Sequence, residues 1–363
     1  MKKIIPLIMC AFMFSKCTEK PTDSGNIPIN RFQVIGGHNS YKKAIDKELL
    51  MVIGEDDPRI AESLEYWHLS LEDQLDLGLR NLEFDVFYDP EGGKYSDPLG
   101  NRILLEMGIE PSPFDTEGKL EVPGLKVFHA QDIDFRSHHL LLKDGLRELK
   151  KWSEQNPDHF PVIVTFEFKD GIIDLPGSEK PIPFDSTNMY TADEEILEVL
   201  GKERLITPDF VRNGEVSLEY AILNNGWPVL NKVRGKFLFV ADAGEVKRTN
   251  YLKSHKGKTE RIMFVTAPEG DPEAAFMIIN DPVRNNERIR ELVKKGYMIR
   301  TRADSGTRQS RDNDYSRFEA AKVSGAQVIS TDYYVPNPDF STYKVSFNKE
   351  SYKRLNPLFF DKD

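Results

Sequence analysis

The chain has 363 residues, 39% hydrophobic and 30% charged, an ordinary globular balance with room for a large core. Its formal net charge of -10 gives no basic footprint for a phosphate backbone, which excludes a general nucleic-acid binder. A small phosphorylated substrate needs only a local cation, and an acidic chain can create one by binding a metal.

Lys2 and Lys3 precede an almost wholly apolar run over residues 4–14, the form of a secretory signal and too short to span a bilayer. Both cysteines, Cys10 and Cys17, lie in or just after this run, so the globular part offers no thiol for a disulfide, a zinc site or a nucleophile. Cys17 is followed by a polar stretch, as in a bacterial lipoprotein signal where that cysteine carries the lipid, although Lys16 stands where a small residue is usual. The expectation is a signal peptide over 1–17, a tether over 18–30, and a protein secreted across the inner membrane and lipid-anchored in a bacterial cell envelope. The membrane surface is then a partner through the anchor.

From residue 31 onward, short apolar strands alternate with amphipathic stretches, the pattern of parallel βαβ units. The first strand is expected over 32–35, running into Gly36-Gly37-His38. Ser70 with Asp73 forms a capping box for a short helix that Gly78 stops. A second strand follows over 81–88, a Gly- and Pro-rich excursion over 89–123, and a third strand over 125–129. Leu142, Leu146 and Leu149 share one helix face. The fourth strand is 162–168, residues 170–235 form a less regular insertion, and the fifth strand is 236–241. Residues 262–265 and 276–279 compete for the sixth position. Ile289, Leu292 and Val293 mark a helix before the seventh strand, 297–302, and a last helix precedes the eighth, 327–331. The economical fold is an α/β TIM-type (β/α)8 barrel over 31–340, a single domain with insertions, followed by a C-terminal extension over 341–363.

In such a barrel, reactive side chains sit at the C-terminal ends of strands. His38 and Asn39 end the first strand, His129 the third, and Glu167 lies near the end of the fourth. Glu83 and Asp85 are two apart, so they share one strand face, where like charges repel and want a common cation. With Glu167 and the Asn39 side-chain carbonyl they make an all-oxygen set, which favours a hard ion, calcium or magnesium, over zinc. Arg300 and Arg302 alternate on the seventh strand, with Asp304 beyond, and Asp332 follows the eighth. His68, His138, His139, His159 and His255 have no ligand spacing and read as structural or surface residues.

The segments Gly37-His38-Asn39-Ser40-Tyr41, Arg80-Asn81-Leu82-Glu83-Phe84-Asp85-Val86, Val127-Phe128-His129, Arg300-Thr301-Arg302-Ala303-Asp304 and 324–333 occur in order across nearly the whole mature chain. Together they resemble the calcium-dependent phosphoinositide-specific phospholipase C-like family. That resemblance implies phosphodiester cleavage of an inositol phospholipid headgroup, in which His38 stabilises the charged transition state and His129 is the general acid on the departing alcohol. Asn39, Glu83, Asp85 and Glu167 would hold Ca2+, the ion would lower the pKa of the inositol 2-hydroxyl, and Glu83 or Asp85 would accept its proton. Attack within the same molecule then gives a lipid alcohol and a cyclic inositol phosphate. Eukaryotic members place lysines on the fifth strand for ring phosphates, whereas here the strand begins at Lys236 and ends at Asp242. Lys169 and Arg302 are the candidates for a single phosphate, and Tyr333 or Tyr334 for stacking on the ring.

Two other readings compete. A glycerophosphodiester phosphodiesterase shares the barrel, the two histidines and the Glu-x-Asp pair, but normally has arginine and aspartate where this chain has Asn39 and Ala130. A surface lipoprotein that only binds would gain little from keeping both His38 and His129. No protein partner is evident from the sequence.

Overall fold

The computed structural model describes residues 24–255 and 261–360; Cys10, Cys17 and the expected signal segment lie outside the described residues. In chain order the strands are β1 (Phe32–Gly37), β2 (Asn81–Phe87), β3 (Lys126–Val127), β4 (Val162–Phe168), β5 (Phe237–Asp242), β6 (Phe264–Val265), β7 (Phe276–Ile278), β8 (Met298–Arg302), β9 (Val328–Thr331) and β10 (Lys353–Leu355). Eight of them run parallel in the order β6-β5-β4-β2-β1-β9-β8-β7, and a parallel bridge from Thr266 to Phe276 draws the two ends together. The result is the expected TIM-type barrel, nearly closed. Among the described residues no helix is long and apolar enough to cross a membrane.

Local chemistry explains the elements. The barrel strands are buried on both faces, so they read as apolar runs such as Val-Ile-Val-Thr-Phe-Glu-Phe in β4, where Glu167 is the one residue not buried. Helix α3 (Leu71–Leu77), which follows α1 (Lys47–Ile53) and α2 (Pro58–Leu64), starts where the Ser70 hydroxyl accepts from the Asp73 N–H at 3.1 Å and donates to the Asp73 carboxylate at 2.6 Å. It stops at Gly78, whose φ of 106° puts it in the left-handed region. Leu142, Leu146 and Leu149 are buried on one face of the helix Leu142–Gln155, as their spacing predicts.

Three expectations need correction. Residues 126–127 are not a barrel strand: they pair antiparallel with β2, Val86 opposite Val127 and Phe87 opposite Lys126. The fourth apolar segment supplies the third barrel strand instead. The two rivals for the sixth position are both used, as β6 and β7, and only a ten-residue connection without a helix separates them. Helical spacing could not reveal that crossover because it has no helix. Finally, the excursion over 89–123 contains its own helix, Leu99–Glu106, which packs with α1 over a satellite core of Leu49, Leu104, Phe128 and their neighbours.

β1 meets β2 at a single register pair, Gly36 opposite Asn81, and its N-terminal half pairs with β10 through Phe32–Leu355, Gln33–Arg354 and Val34–Lys353. The C-terminal extension thus covers a barrel edge that would otherwise carry unpaired backbone groups. The close β1–β2 approach needs glycine, since a Cβ on Gly36 would lie 2.2 Å from the Asn81 carbonyl oxygen. Gly36→Ala should therefore destabilise the fold by about 3 kcal/mol through overpacking against backbone. Chemical denaturation measures this, and a variant that unfolds at the parent's midpoint would show that the strands can part.

Candidate active site

The acidic centre is built by strand register. Asp85 on β2 stands opposite Glu167 on β4, and Glu167 stands opposite Asp242 on β5, so three carboxylates form one row across adjacent strands. Glu83, two residues before Asp85, shares its face. Ligand atoms of Glu83, Asp85 and Glu167 lie within 4.8 Å of one another. Asp242 extends the row, with its side chain 31% exposed. The sequence placed Glu83, Asp85 and Glu167 together; the approach of Asp242 depends on the β4–β5 register and could not be read from spacing.

Two cations offset part of this charge. Arg300, almost wholly buried, donates to the Glu83 carboxylate and lies 3.8 Å from Asp242. Lys169 Nζ stands 3.4 Å from an Asp85 oxygen and 3.3 Å from a Glu167 oxygen. Lys169, expected as a phosphate ligand, is thus an ion-pair partner of the acidic row. Burial lowers its pKa, but the Asp85 and Glu167 charges outweigh that and hold it above the ordinary lysine value. Burial pushes Glu83 up to about 7 against the pull of Arg300, and burial also raises Asp85 and Asp242. Neither Asp85 oxygen makes a well-directed hydrogen bond, and the buried Asn39 amide oxygen has no protein partner. Asn39 is next to Ser40, whose N–H donates to the Glu83 carbonyl at 3.1 Å and whose hydroxyl accepts from the Glu83 N–H at 3.1 Å. Three carboxylates and one orphaned amide oxygen fit a hard divalent cation: oxygen donors only, with more negative charge than two side-chain cations cancel.

His38, at the end of β1, is 17% exposed. Its Nδ1 lies 2.8 Å from Asp332, and its Nε2 lies 3.1 Å from the Arg302 guanidinium, which itself bonds Asp332 at 3.0 Å. The carboxylate fixes the Nδ1–H tautomer, so Nε2 is the accepting nitrogen. Burial, then Arg302, pushes His38 down to about 3 despite Asp332. Burial works against ionisation of Asp332, but His38 and Arg302 prevail and hold its carboxyl well below the usual range. Asp304 sets this group from behind by accepting the Asp332 N–H at 2.9 Å. Arg302, expected as a phosphate ligand, is therefore engaged by Asp332.

His129 is reached differently from the expectation. It ends no barrel strand; it lies two residues beyond β3, in a turn where its N–H donates to the Asp134 carbonyl at 3.2 Å. Its Nδ1 is 2.9 Å from the Asp134 carboxylate, whose other oxygen binds Lys42 Nζ at 2.8 Å. Burial raises Asp134, but Lys42 and His129 together hold it below its ordinary value. Lys42 and Asp134 carry no local signal in the sequence, since they are 92 residues apart and each resembles a surface charge.

Tyr333 and Tyr334 do not present rings to a ligand. Both are buried: Tyr333 packs on Tyr343, and Tyr334 stacks on His68 with ring centres 5.4 Å apart while its hydroxyl accepts the Leu69 N–H. The expectation of ring stacking is corrected, because the chain after β9 turns inward onto the second core cluster. His68, read as structural, is buried with Nε2 3.9 Å from Asp332, so it borders the site. The other four histidines bond backbone or neighbouring side chains away from these groups: His138 to the His68 carbonyl, His139 to Glu148, His159 to Ser153 and His255 to Asp193.

Solved structures share this architecture. The chain is similar to a calcium-dependent phosphoinositol-specific phospholipase C from the Gram-negative bacterium Pseudomonas sp., apo form, myoinositol complex: 15% identity over 92% of this chain and 96% of that one, with a TM-score of 0.54. It is similar also to a Ca2+-dependent phosphatidylinositol-specific phospholipase C from Streptomyces antibioticus, at 18% identity, 88% and 98% coverage and a TM-score of 0.50. At such identities the likeness speaks for the fold. No curated protein matches the sequence significantly. The family model described as phosphoinositide phospholipase C, Ca2+-dependent, matches residues 27–357, so the chain belongs to that family of phosphodiester-cleaving enzymes.

Proposed function

We propose that this protein cleaves the phosphodiester of an inositol phospholipid by attack of the headgroup's own 2-hydroxyl on phosphorus. The observation that carries the reading is the pair of histidine–carboxylate couples, His38–Asp332 and His129–Asp134, on the barrel that carries the acidic row. Asn39, Glu83, Asp85 and Glu167 are the residues that would hold Ca2+, with Mg2+ the lesser candidate. Bound there, the ion would lower the pKa of the attacking hydroxyl and offset phosphoryl charge. Glu83 or Asp85 takes the hydroxyl proton as the new O–P bond forms. His129, oriented by Asp134, gives a proton from Nε2 to the lipid oxygen as its bond to phosphorus breaks. His38, neutral with Nε2 accepting from Arg302, acts on the charged transition state by holding the Arg302 guanidinium, whose positive charge offsets the phosphoryl charge.

Asp242 favours an inositol ring without added phosphates, since a ring phosphate near the end of β5 would meet a carboxylate. Product analysis on phosphatidylinositol, phosphatidylinositol 4-phosphate and glycerophosphodiesters tests the scheme. Cyclic inositol phosphate should form from the unphosphorylated lipid, vanish in chelator, return with calcium, and fall by more than about a hundredfold in His129→Ala. Glycerol 3-phosphate as the main product, or full activity without metal, would reject it.

We infer also that Cys17 is lipidated and tethers the enzyme to the cell envelope, a reading supported by the apolar run before it and the polar stretch after it. Phase partitioning of the expressed protein should move from the detergent to the aqueous phase in Cys17→Ser; identical partitioning would leave no role for the anchor.

Lys169 competes with a divalent ion for Asp85 and Glu167. Lys169→Met should tighten calcium binding by about tenfold, or ~1.4 kcal/mol, because it removes like charge from the ion's surroundings. Calorimetric titration without substrate measures this, and weaker binding would assign Lys169 a supporting role instead.

A further inference from the structure

Asn39 is held in an unusual way. Its backbone takes a left-handed φ of 50°, which asparagine tolerates better than most residues, and its side chain is buried. The two ends of the amide have different surroundings. Nδ2 donates to the Tyr66 hydroxyl at 2.7 Å, whereas Oδ1 has no partner. Tyr66 is itself buried and fixed on several sides: its ring meets His38 at 6.2 Å, lies edge-on to His68 at 5.7 Å, and has Lys42 Nζ 4.9 Å from its centre.

We propose that Tyr66 is a positioning residue for the cation site, accepting the Asn39 N–H so that the amide oxygen is the end left for a metal. The proposal rests on the calcium-site reading above. When Oδ1 coordinates a cation, the amide N–H2 must point elsewhere, and the acceptor the structure gives it in this buried setting is the Tyr66 oxygen. A hydroxyl can serve either amide end, donating to Oδ1 or accepting from Nδ2. Its removal therefore costs the ion-free protein less, because there neither end of the amide is committed to a metal and the group is free to turn. The ion-loaded protein loses more, because a buried donor is left unpaired. The difference appears as lost metal affinity, the behaviour of a residue that orients a ligand without touching the ion.

The test is calorimetric calcium titration of the full-length protein without substrate, as a double-mutant cycle between Tyr66→Phe and Asn39→Asp. Tyr66→Phe should weaken calcium binding by about tenfold when residue 39 is asparagine. In the Asn39→Asp background the same change should not weaken binding, since a carboxylate has no N–H to satisfy and offers oxygen at both ends. Equal calcium affinity of Tyr66→Phe and the parent would overturn the proposal. So would an equal loss in both backgrounds, which is the mark of a merely loosened site. A parent protein that binds no calcium would overturn the cation-site reading as well, whereas a calcium-binding parent unaffected by Tyr66→Phe would overturn the role of Tyr66 alone.

Discussion

The row Asp85–Glu167–Asp242 is the constraint on which the site depends. Parallel pairing of β2, β4 and β5 puts these three acidic residues directly opposite one another, with Glu83 beside them. Two unit charges 4 Å apart repel by roughly 4 kcal/mol at the effective dielectric of a protein surface, so such a row opposes its own folding unless it is neutralised. The register cannot slip to relieve it: a one-residue shift would move Glu167 to the face on which Val164, Phe166 and Phe168 are buried. The chain keeps the row and places Arg300 and Lys169 against it, one reaching in from β8 and one from just after β4.

The histidines depend on the same closure of the barrel. His38 and Asp332 are 294 residues apart, yet Gly37 pairs with Thr331 across β1 and β9, so each follows the end of a neighbouring strand. Arg302, at the end of β8, completes the group because β8 pairs with β9. His129 follows another logic. Its carboxylate lies five residues away in the same turn, so that couple is local, and Lys42 ties it to the loop after β1. One couple is assembled by the fold and the other by a turn that the fold positions.

This difference governs what could be read from sequence. His38 at the end of β1 and the Glu-x-Asp pair were legible because an apolar run marks the strand and its periodicity puts alternate residues on one face. The capping box at Ser70 and the stop at Gly78 were legible because their signals are local. The antiparallel turn of β3 was not, since a short apolar segment has the same pattern whichever way it pairs. Nor were the partners: Asp332 for His38, Lys42 for Asp134, Tyr66 for Asn39 and Asp242 for the row all require knowledge of register or of distant loops. The tyrosines misled for the same reason. Tyr333 and Tyr334 follow a strand end at the mouth, but the chain turns there and buries them.

The charge arrangement bears on substrate binding. A phosphodiester brings an anion to a protein of net charge -10. Each site cation named above already faces a carboxylate: Arg300 has Glu83, Lys169 has Asp85 and Glu167, Arg302 has Asp332, and Lys42 has Asp134. Such pairs repay their desolvation by staying together, so breaking one to bind phosphate would leave a buried carboxylate uncompensated. On the proposed reading, most of the attraction for the anion would come from charge added to the acidic row. A divalent ion would do this without disturbing either histidine couple, because the oxygen donors proposed for it are distinct from Asp332 and Asp134. The acidic composition and the phosphate chemistry are thus compatible, since carboxylates that repel a phosphate by themselves would attract it once they shared an ion.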